Sequence, residues 1–258
     1  MKDLTIVKVG GKIVEEEDSL QNLLDCFCII PGQKVLVHGG GRSATKIATQ
    51  LGIESHMVDG RRITDASMLQ VVTMVYGGLV NKNLVAQLQA RGLNALGFTG
   101  ADLNVIQSVK RPLKNGIDYG FVGDVKQVDS SFLVRLIDEG VVPVMAPLTH
   151  DKHGNILNTN ADTIAQEIAK ALVLHYNVTL VYSFEKKGVL RDPDDDDSVI
   201  PHINRKEFEQ YVQDGIIQGG MIPKLENAFQ AIDAGVKKVI ITQASAIGTV
   251  GGTIIEKE

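Results

Sequence analysis

The sequence has little of what would mark a secreted, membrane-spanning or nucleic-acid-binding protein. It holds only two cysteines, Cys26 and Cys28, in 258 residues. Their C-x-C spacing falls in a helical pattern with no further cysteine to complete a metal set, so they read as free thiols of a reducing compartment. No apolar run is long enough to span a bilayer. Residues 1–7 form a short strand pattern and lack a signal peptide's apolar core. Positive charge is not in excess: 26 Lys and Arg stand against 31 Asp and Glu, a net charge of −5. That argues against a general nucleic-acid footprint and leaves room for a local cationic pocket. The expectation is a cytoplasmic protein with neither a membrane nor a nucleic acid as partner. Two nucleotide motifs are also missing. Neither G-x-x-x-x-G-K-[ST] nor G-x-G-x-x-G occurs at the glycine-rich turns, so by motif the chain is neither a P-loop NTPase nor a dinucleotide-binding dehydrogenase.

What is present is an alternation of strand-like and helical runs. A 44% hydrophobic and 22% charged composition suits a chain that buries a sizeable core, as one large domain or two lobes sharing a sheet. Residues 5–9 read as a buried strand, followed by Leu20, Leu23, Leu24 and Phe27 at helical spacing. Residues 34–37 are a second strand, and a helix runs through Ile47 to Leu51 with Gly52 as its stop. Phe132, Leu133, Leu136 and Ile137 line a helix ending at Gly140. The strand at 141–145 contains Pro143, which places it near a sheet edge or the proline near its start. Ile164, Ala165, Ile168, Ala169 and Leu172 line the next helix, then comes a strand at 178–183. Leu225, Ala228, Phe229 and Ile232 line a helix ending at Gly235, and strands at 239–242 and 253–255 follow. This order predicts an α/β fold, helices covering both faces of a mostly parallel sheet, with ligands beyond the carboxyl ends of the strands.

Two segments stand apart. Residues 192–197 carry five aspartates around Pro193 and read as a solvated loop tip. The helix expected over 64–88 has Thr64 as its cap and Asp65 in its first turn. Its apolar residues lie on more than one face: Met68, Val72, Val75 and Leu79 on one stripe, Val71, Met74 and Val85 on others. Gly77 and Gly78 in its middle cost helix stability but permit close approach. It is either a central core helix or one shared between the core and a symmetric dimer contact.

The candidate chemistry sits at turns. Gly10-Gly11 and Gly39-Gly40-Gly41 each follow a strand, where bare backbone N–H groups can approach an anion. Lys8 is a charge inside an otherwise apolar strand, two residues before Gly10. Such a charge is costly unless it reaches solvent, a cleft or a partner. Asn158-Thr159-Asn160-Ala161-Asp162 leads into a helix, where Asp162 either caps the helix or orients nearby lysines. Arg62 can grip a carboxylate bidentately. Lys224, at the start of another helix, opposes the helix dipole unless an anion lies near. No His–Asp or Cys–His constellation for nucleophilic catalysis is evident.

In order and spacing, Lys8-Val9-Gly10-Gly11, His38-Gly39-Gly40-Gly41, Gly60-Arg61-Arg62-Ile63-Thr64, Asn81-Lys82, Asn158–Asp162 and Gly219-Gly220-Met221-Ile222-Pro223-Lys224 resemble the amino acid kinase family over essentially the whole chain. The resemblance implies a three-layer α/β/α sandwich. Residues 1–173 would be a lobe for an acylated amino acid and for dimerisation, and residues 174–258 a nucleotide lobe. It implies in-line transfer of the ATP γ-phosphoryl to the γ-carboxylate of an N-acylglutamate in arginine biosynthesis, with Mg²⁺ carried by ATP and no metal held by the protein itself. The acyl group would be acetyl by default. Succinyl is the alternative, for which Arg61, Lys110 and Arg111 are candidate extra cations.

By the same resemblance Lys8 and Lys224 are transition-state lysines and Asp162 their organiser. Gly40, Gly41, Arg62, Asn158 and Asn160 contact the acceptor. Gly10, Gly11, Glu185, Gly188, Val189, Leu190 and Ile217 contact the nucleotide. Phosphoryl transfer needs positioning and charge neutralisation, and a carboxylate acceptor is already ionised at neutral pH, so no general base is required. The segment Glu185-Lys186-Lys187-Gly188-Val189-Leu190 departs from the family's usual Asp-Val-x-Gly-Val-Leu. Arginine-inhibited members carry an extra N-terminal helix that this sequence lacks, which predicts a homodimer through the 64–88 helix without arginine feedback. The competing readings are a sister kinase acting on glutamate, aspartate, carbamate or UMP, and a non-catalytic nucleotide or amino-acid sensor.

Overall fold

A computed structural model describes every residue except Asp59, Val250 and Glu258. The chain runs through β1 (Lys2–Val9), α1 (Gly11–Glu15), α2 (Glu17–Ile29), β2 (Gln33–His38) and α3 (Gly41–Gln50). An antiparallel pair, β3 (Met57–Val58) and β4 (Arg61–Arg62), leads to α4 (Ala66–Val72), a π-helical segment (Thr73–Val80) and α5 (Asn81–Ala90). Then come β5 (Ala95–Phe98), β6 (Ile106–Lys110), β7 (Gly123–Val128), α6 (Ser130–Asp138), β8 (Val142–Met145), β9 (Leu148–His150), β10 (Ile156–Asn158) and α7 (Ala161–Leu172). The rest is β11 (Tyr176–Phe184), β12 (His202–Ile203), α8 (Arg205–Gln213), α9 (Met221–Asp233), β13 (Lys238–Gln243) and β14 (Thr253–Glu256).

Eight strands form one sheet in the order β12-β14-β13-β11-β1-β2-β8-β5. All neighbours are parallel except β13 and β14, whose antiparallel pairing makes that end of the sheet mixed. Pro143 is the second residue of β8, one strand in from the edge, where its missing N–H is tolerated. A second sheet, β10-β9-β6-β7, was not legible in the sequence and stands over the carboxyl end of the first.

Strand periodicity decides which side chain meets which layer. Along β1, Leu4 and Ile6 pack into a core with α6, α7 and α9, while Val7 and Val9 pack into a second core with α2 to α5. The sheet is thus buried on both faces, as its apolar strands require. The same rule sends Lys8 to the α7 side and His38 to the side of α4, the π segment and α5.

Several expectations need correction. The cap of α4 is Asp65, whose carboxylate accepts from the Met68 N–H at 2.7 Å, and Thr64 is buried behind it. The helix after it runs to residue 90 with a π segment inside. Only Gly77 answers a close approach, since a Cβ there would lie 3.4 Å from Leu148, whereas Gly78 faces open space. Leu79, assigned to the stripe of Met68, Val72 and Val75, is exposed while those three are buried, because the wider π turn rotates it outward. The aspartate loop is solvated as expected, residues 192–197 all being exposed, and it carries surface ion pairs from Lys186 to Asp196 at 2.7 Å and from Lys187 to Asp197 at 2.5 Å. Cys26 and Cys28 are half-buried free thiols on α2.

Candidate active site

Three neighbouring parallel strands, β11, β1 and β2, end together. Val9 stands opposite Ser183 on one side and His38 on the other. Their continuations, Phe184-Glu185, Gly10-Gly11 and Gly39-Gly40-Gly41, therefore meet at one edge, although they are far apart in sequence.

On the α7 side of this edge lie the charges. Lys8 is 7% exposed, and its Nζ sits 2.7 Å from Asp162 Oδ1. Asp162 can serve it because Asn160 takes the cap of α7, accepting from the Thr163 N–H at 3.0 Å. Of the two roles open to Asp162 in the sequence, the structure gives it the ion pair. Lys224 enters from the first turn of α9, its ammonium 4.0 Å from the Phe184 ring centroid, with that of Lys8 at 5.3 Å from the same ring. Burial holds the Lys224 pKa below the ordinary lysine value. The Asp162 carboxylate opposes this shift, and the Lys8 charge adds to it. Among the described residues Lys8 has an ion pair with Asp162 and Lys224 has none, although Asp162 and Glu185 both act on Lys224 at longer range, so its ammonium is placed to receive an anionic ligand.

The two glycine turns pack backbone to backbone. A Cβ on Gly11 would stand 3.2 Å from the Gly41 nitrogen and 3.3 Å from that of Gly40, and one on Gly39 would stand 3.1 Å from the Gly11 nitrogen. Side chains here would fill the space between amides that head α1 and α3. Bare amides gathered at two helix starts are the kind of backbone that suits an anion.

Beyond Gly40 and Gly41 a cleft is lined by Arg61, Arg62, Tyr76, Arg111, Asn158 and Asn160. The Asn158 side chain donates to Thr64 Oγ1 at 2.9 Å. The free bidentate fork expected of Arg62 is not what the structure holds. Nη2 donates to the Gly41 carbonyl and to Thr45 Oγ1, both at 2.8 Å, and Nη1 donates to Ser55 Oγ at 2.9 Å. A carboxylate would have to displace the two hydroxyls. Arg111 pairs with Asp124 at 2.6 Å at the cleft wall, whereas Lys110 pairs with Asp118 and does not line the cleft.

The residues expected at the nucleotide divide between two cavities. Gly10, Gly11 and Glu185 share a cleft with Arg62 that adjoins the first. Gly188, Val189, Leu190 and Ile217 line a separate cavity with Lys186, Arg191 and Met221. Glu185 accepts from Lys12 Nζ at 2.8 Å and lies 3.6 Å from Arg42, bridging the starts of α1 and α3. The Lys12 hydrogen bond draws its carboxyl pKa below the usual value.

Sequence reasoning missed Lys12, Arg42 and the role of Phe184 as a shared platform. Their signal was slight: two cations directly after glycine turns and one aromatic at a strand end. It also passed over His38. That side chain is fully buried, and burial pushes its pKa down to about 4, against the opposing effect of its bond to the Gly39 carbonyl. Among the described residues no cluster of three or more His, Cys, Asp or Glu could hold a metal ion, and no helix is long and apolar enough to cross a membrane.

A parallel sheet with paired lysines and a glycine cradle at its carboxyl edge defines a phosphoryl-handling α/β protein. The chain belongs to the amino acid kinase family, whose model matches residues 3–243. An acetylglutamate kinase from Bacteroides thetaiotaomicron is 74% identical over 254 residues, covering 98% of each chain. Among solved structures, smu.665 from Streptococcus mutans is 28% identical with a TM-score of 0.78, covering 99% of both chains. N-acetylglutamate synthase from Neisseria gonorrhoeae, at 22% identity and TM-score 0.83, shares the fold over 99% of this chain and 60% of its own.

Proposed function

We propose that this protein is an acetylglutamate kinase, transferring the γ-phosphoryl of ATP to the γ-carboxylate of N-acetylglutamate in arginine biosynthesis. The observation that carries the reading is the Lys8–Asp162 pair of 2.7 Å, beside Lys224 on the same aromatic ring, on the strand that leads into the first of the glycine turns. Relatives of that name at 69–74% identity over nearly the full chain support it.

In this reading the acceptor carboxylate lies in the cleft of Arg62, Asn158 and Asn160 and attacks in line. Charge on the transferring phosphoryl is met by Lys8 and Lys224, which cost no reorganisation because Asp162 already holds Lys8 in place. The amides of Gly10, Gly11, Gly40 and Gly41 line the phosphoryl path. Residues 1–173 carry the acceptor side and 174–258 the nucleotide, whose adenosine end takes the cavity of Gly188, Val189, Leu190 and Ile217. The carboxylates nearest the phosphates, Asp162 and Glu185, are engaged by lysines, which fits Mg²⁺ arriving on the nucleotide and there neutralising phosphate charge. The protein works in the cytoplasm as a homodimer through the helix of residues 66–90, where Met74 and Leu79 are exposed and Gly78 leaves room for a close neighbour.

A second reading of the acyl group has an observation of its own. Arg61 and Arg111 both line the acceptor cleft, and Arg61, with Arg111 already paired to Asp124, suits an acyl chain ending in a carboxylate, as in N-succinylglutamate. A coupled ADP-release assay over N-acetylglutamate, N-succinylglutamate, glutamate, aspartate, carbamate and UMP tests both. An N-acylglutamate should be turned over best, and preference for any other acceptor refutes the proposal. The ratio of kcat/KM between the two acyl forms assigns the acyl group.

A further inference from the structure

The glycine cradle raises a problem that the kinase reading leaves open. Flanked by two residues without a Cβ, the Gly39–Gly40 peptide meets little steric resistance to rotation. A flipped peptide would present a carbonyl oxygen, not an N–H, to an arriving phosphate. Something must fix its direction.

The structure points to the neighbouring imidazole. His38 Nδ1 lies 2.7 Å from the Gly39 carbonyl oxygen. A carbonyl can only accept, so Nδ1 carries the proton. On the other side of the ring, Nε2 lies 3.0 Å from Asn81 Nδ2. The orientation of that amide is set independently: its nitrogen also donates to the Val144 carbonyl at 3.0 Å, and its oxygen accepts from Lys82 Nζ at 3.1 Å. Nε2 is therefore the acceptor, and a neutral imidazole of one tautomer satisfies every partner. Asn81 is itself immobile, because it packs on the bare backbone of Gly97, where a Cβ would fall 2.0 Å from its oxygen. Lys82 closes the set by donating to the Gly97 carbonyl at 2.5 Å.

The chain has no cis peptide among its described residues, so the Gly39–Gly40 peptide is trans and its N–H points opposite to its C=O. With the carbonyl drawn inward to the ring, the Gly40 N–H is directed away from it. As cap and first residue of α3, Gly40 and Gly41 have no intrahelical acceptor for their N–H groups. Their nitrogens stand 3.3 and 3.2 Å from the place a Gly11 side chain would occupy, at the turn that the kinase reading gives to the phosphoryl group.

We propose that His38 is a positioning residue for phosphoryl transfer: as the Nδ1–H tautomer fixed by Asn81, it pins the Gly39 carbonyl and so holds the Gly40 N–H toward the transferring group. The Asn81–Lys82–Gly97 network is the anchor of that pin, joining the glycine turn to the start of α5. The proposal rests on the kinase reading for its consequence, but not for its geometry.

Two substitutions separate the pin from packing. In His38→Asn the side-chain amide lies where Nδ1 was and can still donate to Gly39, while the contact with Asn81 is lost. In His38→Gln the amide reaches the place of Nε2 and keeps Asn81, while Gly39 is released. His38→Gln should lose on the order of 100-fold in kcat with both KM values changed only a few-fold, the cost of one misaimed oxyanion donor, while His38→Asn stays within about tenfold of wild type. Equal losses in the two variants, or losses carried by KM, would overturn the proposal. Long-range ¹⁵N–¹H spectra of the wild-type imidazole give a test independent of variant folding and of turnover. They should find the proton on Nδ1 at pH 7, and a proton on Nε2 overturns the proposal even if the acceptor assay succeeds.

Discussion

Lys8 and Asp162 meet at 2.7 Å at the point where β1, a central strand of the large sheet, and the N-terminus of α7, the helix that follows β10 of the smaller sheet, converge. The pair is more than a local salt bridge. It fixes one ammonium on the strand that leads into Gly10 and Gly11, while Lys224 has no carboxylate within ion-pair distance among the described residues.

Replacing Lys8 with alanine tests that arrangement. An ammonium aimed at a transferring phosphoryl group gains most where charge is greatest, in the transition state. Lys8→Ala should lower kcat by roughly 100-fold or more while ATP dissociation, measured by equilibrium nucleotide binding, shifts by less than about tenfold. Equal losses in binding and turnover would show that Lys8 serves the ground state.

Asp162 should reveal itself in the alkaline limb of the pH profile. The Lys224 pKa lies below its ordinary value because of burial, with Asp162 as the largest opposing influence. Removing that carboxylate leaves burial and any remaining Lys8 charge to act unopposed by it, so the charged form of Lys224 is disfavoured further. Asp162→Asn should therefore move the alkaline fall in kcat to lower pH, besides reducing its plateau. A limb that stays in place or moves upward would mean that Lys224 is not the group titrating there.

Much of this site was legible because strand and turn chemistry are local. Lys8 in an apolar strand, the two glycine turns and Lys224 against a helix dipole each announced themselves by breaking a local rule, and parallel order then fixed which strand ends would meet. What escaped depends on three-dimensional neighbours. Asn160 and Asp162 are equally good caps on paper, and only the position of Lys8 decides between them. Arg62 reads as a free fork until Thr45, Ser55 and Gly41 come to meet it. Glu185 sits next to Gly188 and Val189 in sequence, yet its carboxylate turns back to Lys12 and Arg42. In the second sheet β9 and β10 have only three residues each, and β6 and β7 mix Gln, Lys and Asp among few apolar residues, so none reads as a buried run. The π segment hides because Thr73–Val80 is apolar on nearly every face, so no period in the sequence separates a π turn from an α turn.

The buried imidazole carries a stability signature. The His38 pKa is about 4 in the folded protein against 6.5 when exposed. Above pH 6.5 both states are neutral at this site and it costs nothing. As pH falls from 6.5 toward 4 the unfolded chain takes up a proton that the folded chain refuses, so stability falls. Between pH 7.5 and 5 this single site should account for about 2 kcal/mol of lost unfolding free energy. Urea unfolding of wild type and His38→Asn at the two pH values isolates it, because the variant lacks the group while other titrations are shared. Parallel changes in both proteins would place the His38 pKa near its exposed value.

The proposed homodimer is tested at one helix face. Met74 is 55% exposed and Leu79 51% exposed on the π segment, with the open side of Gly78 between them. Exposed apolar residues are common singly, but two beside a bare backbone form a surface that, in the proposed homodimer, a second copy of the same helix would fill symmetrically. Met74→Glu would set two like charges against each other across such an axis, where water is excluded and neither has a partner. Light scattering should give a dimer for the wild-type protein and a concentration-dependent shift toward monomer for Met74→Glu. Leu174→Glu is the control: Leu174, 83% exposed after α7, lies outside this helix and should leave the mass unchanged. A hexamer for the wild type would mean that a further contact, outside residues 66–90, joins the dimers. A monomer would mean that Met74 and Leu79 face only water.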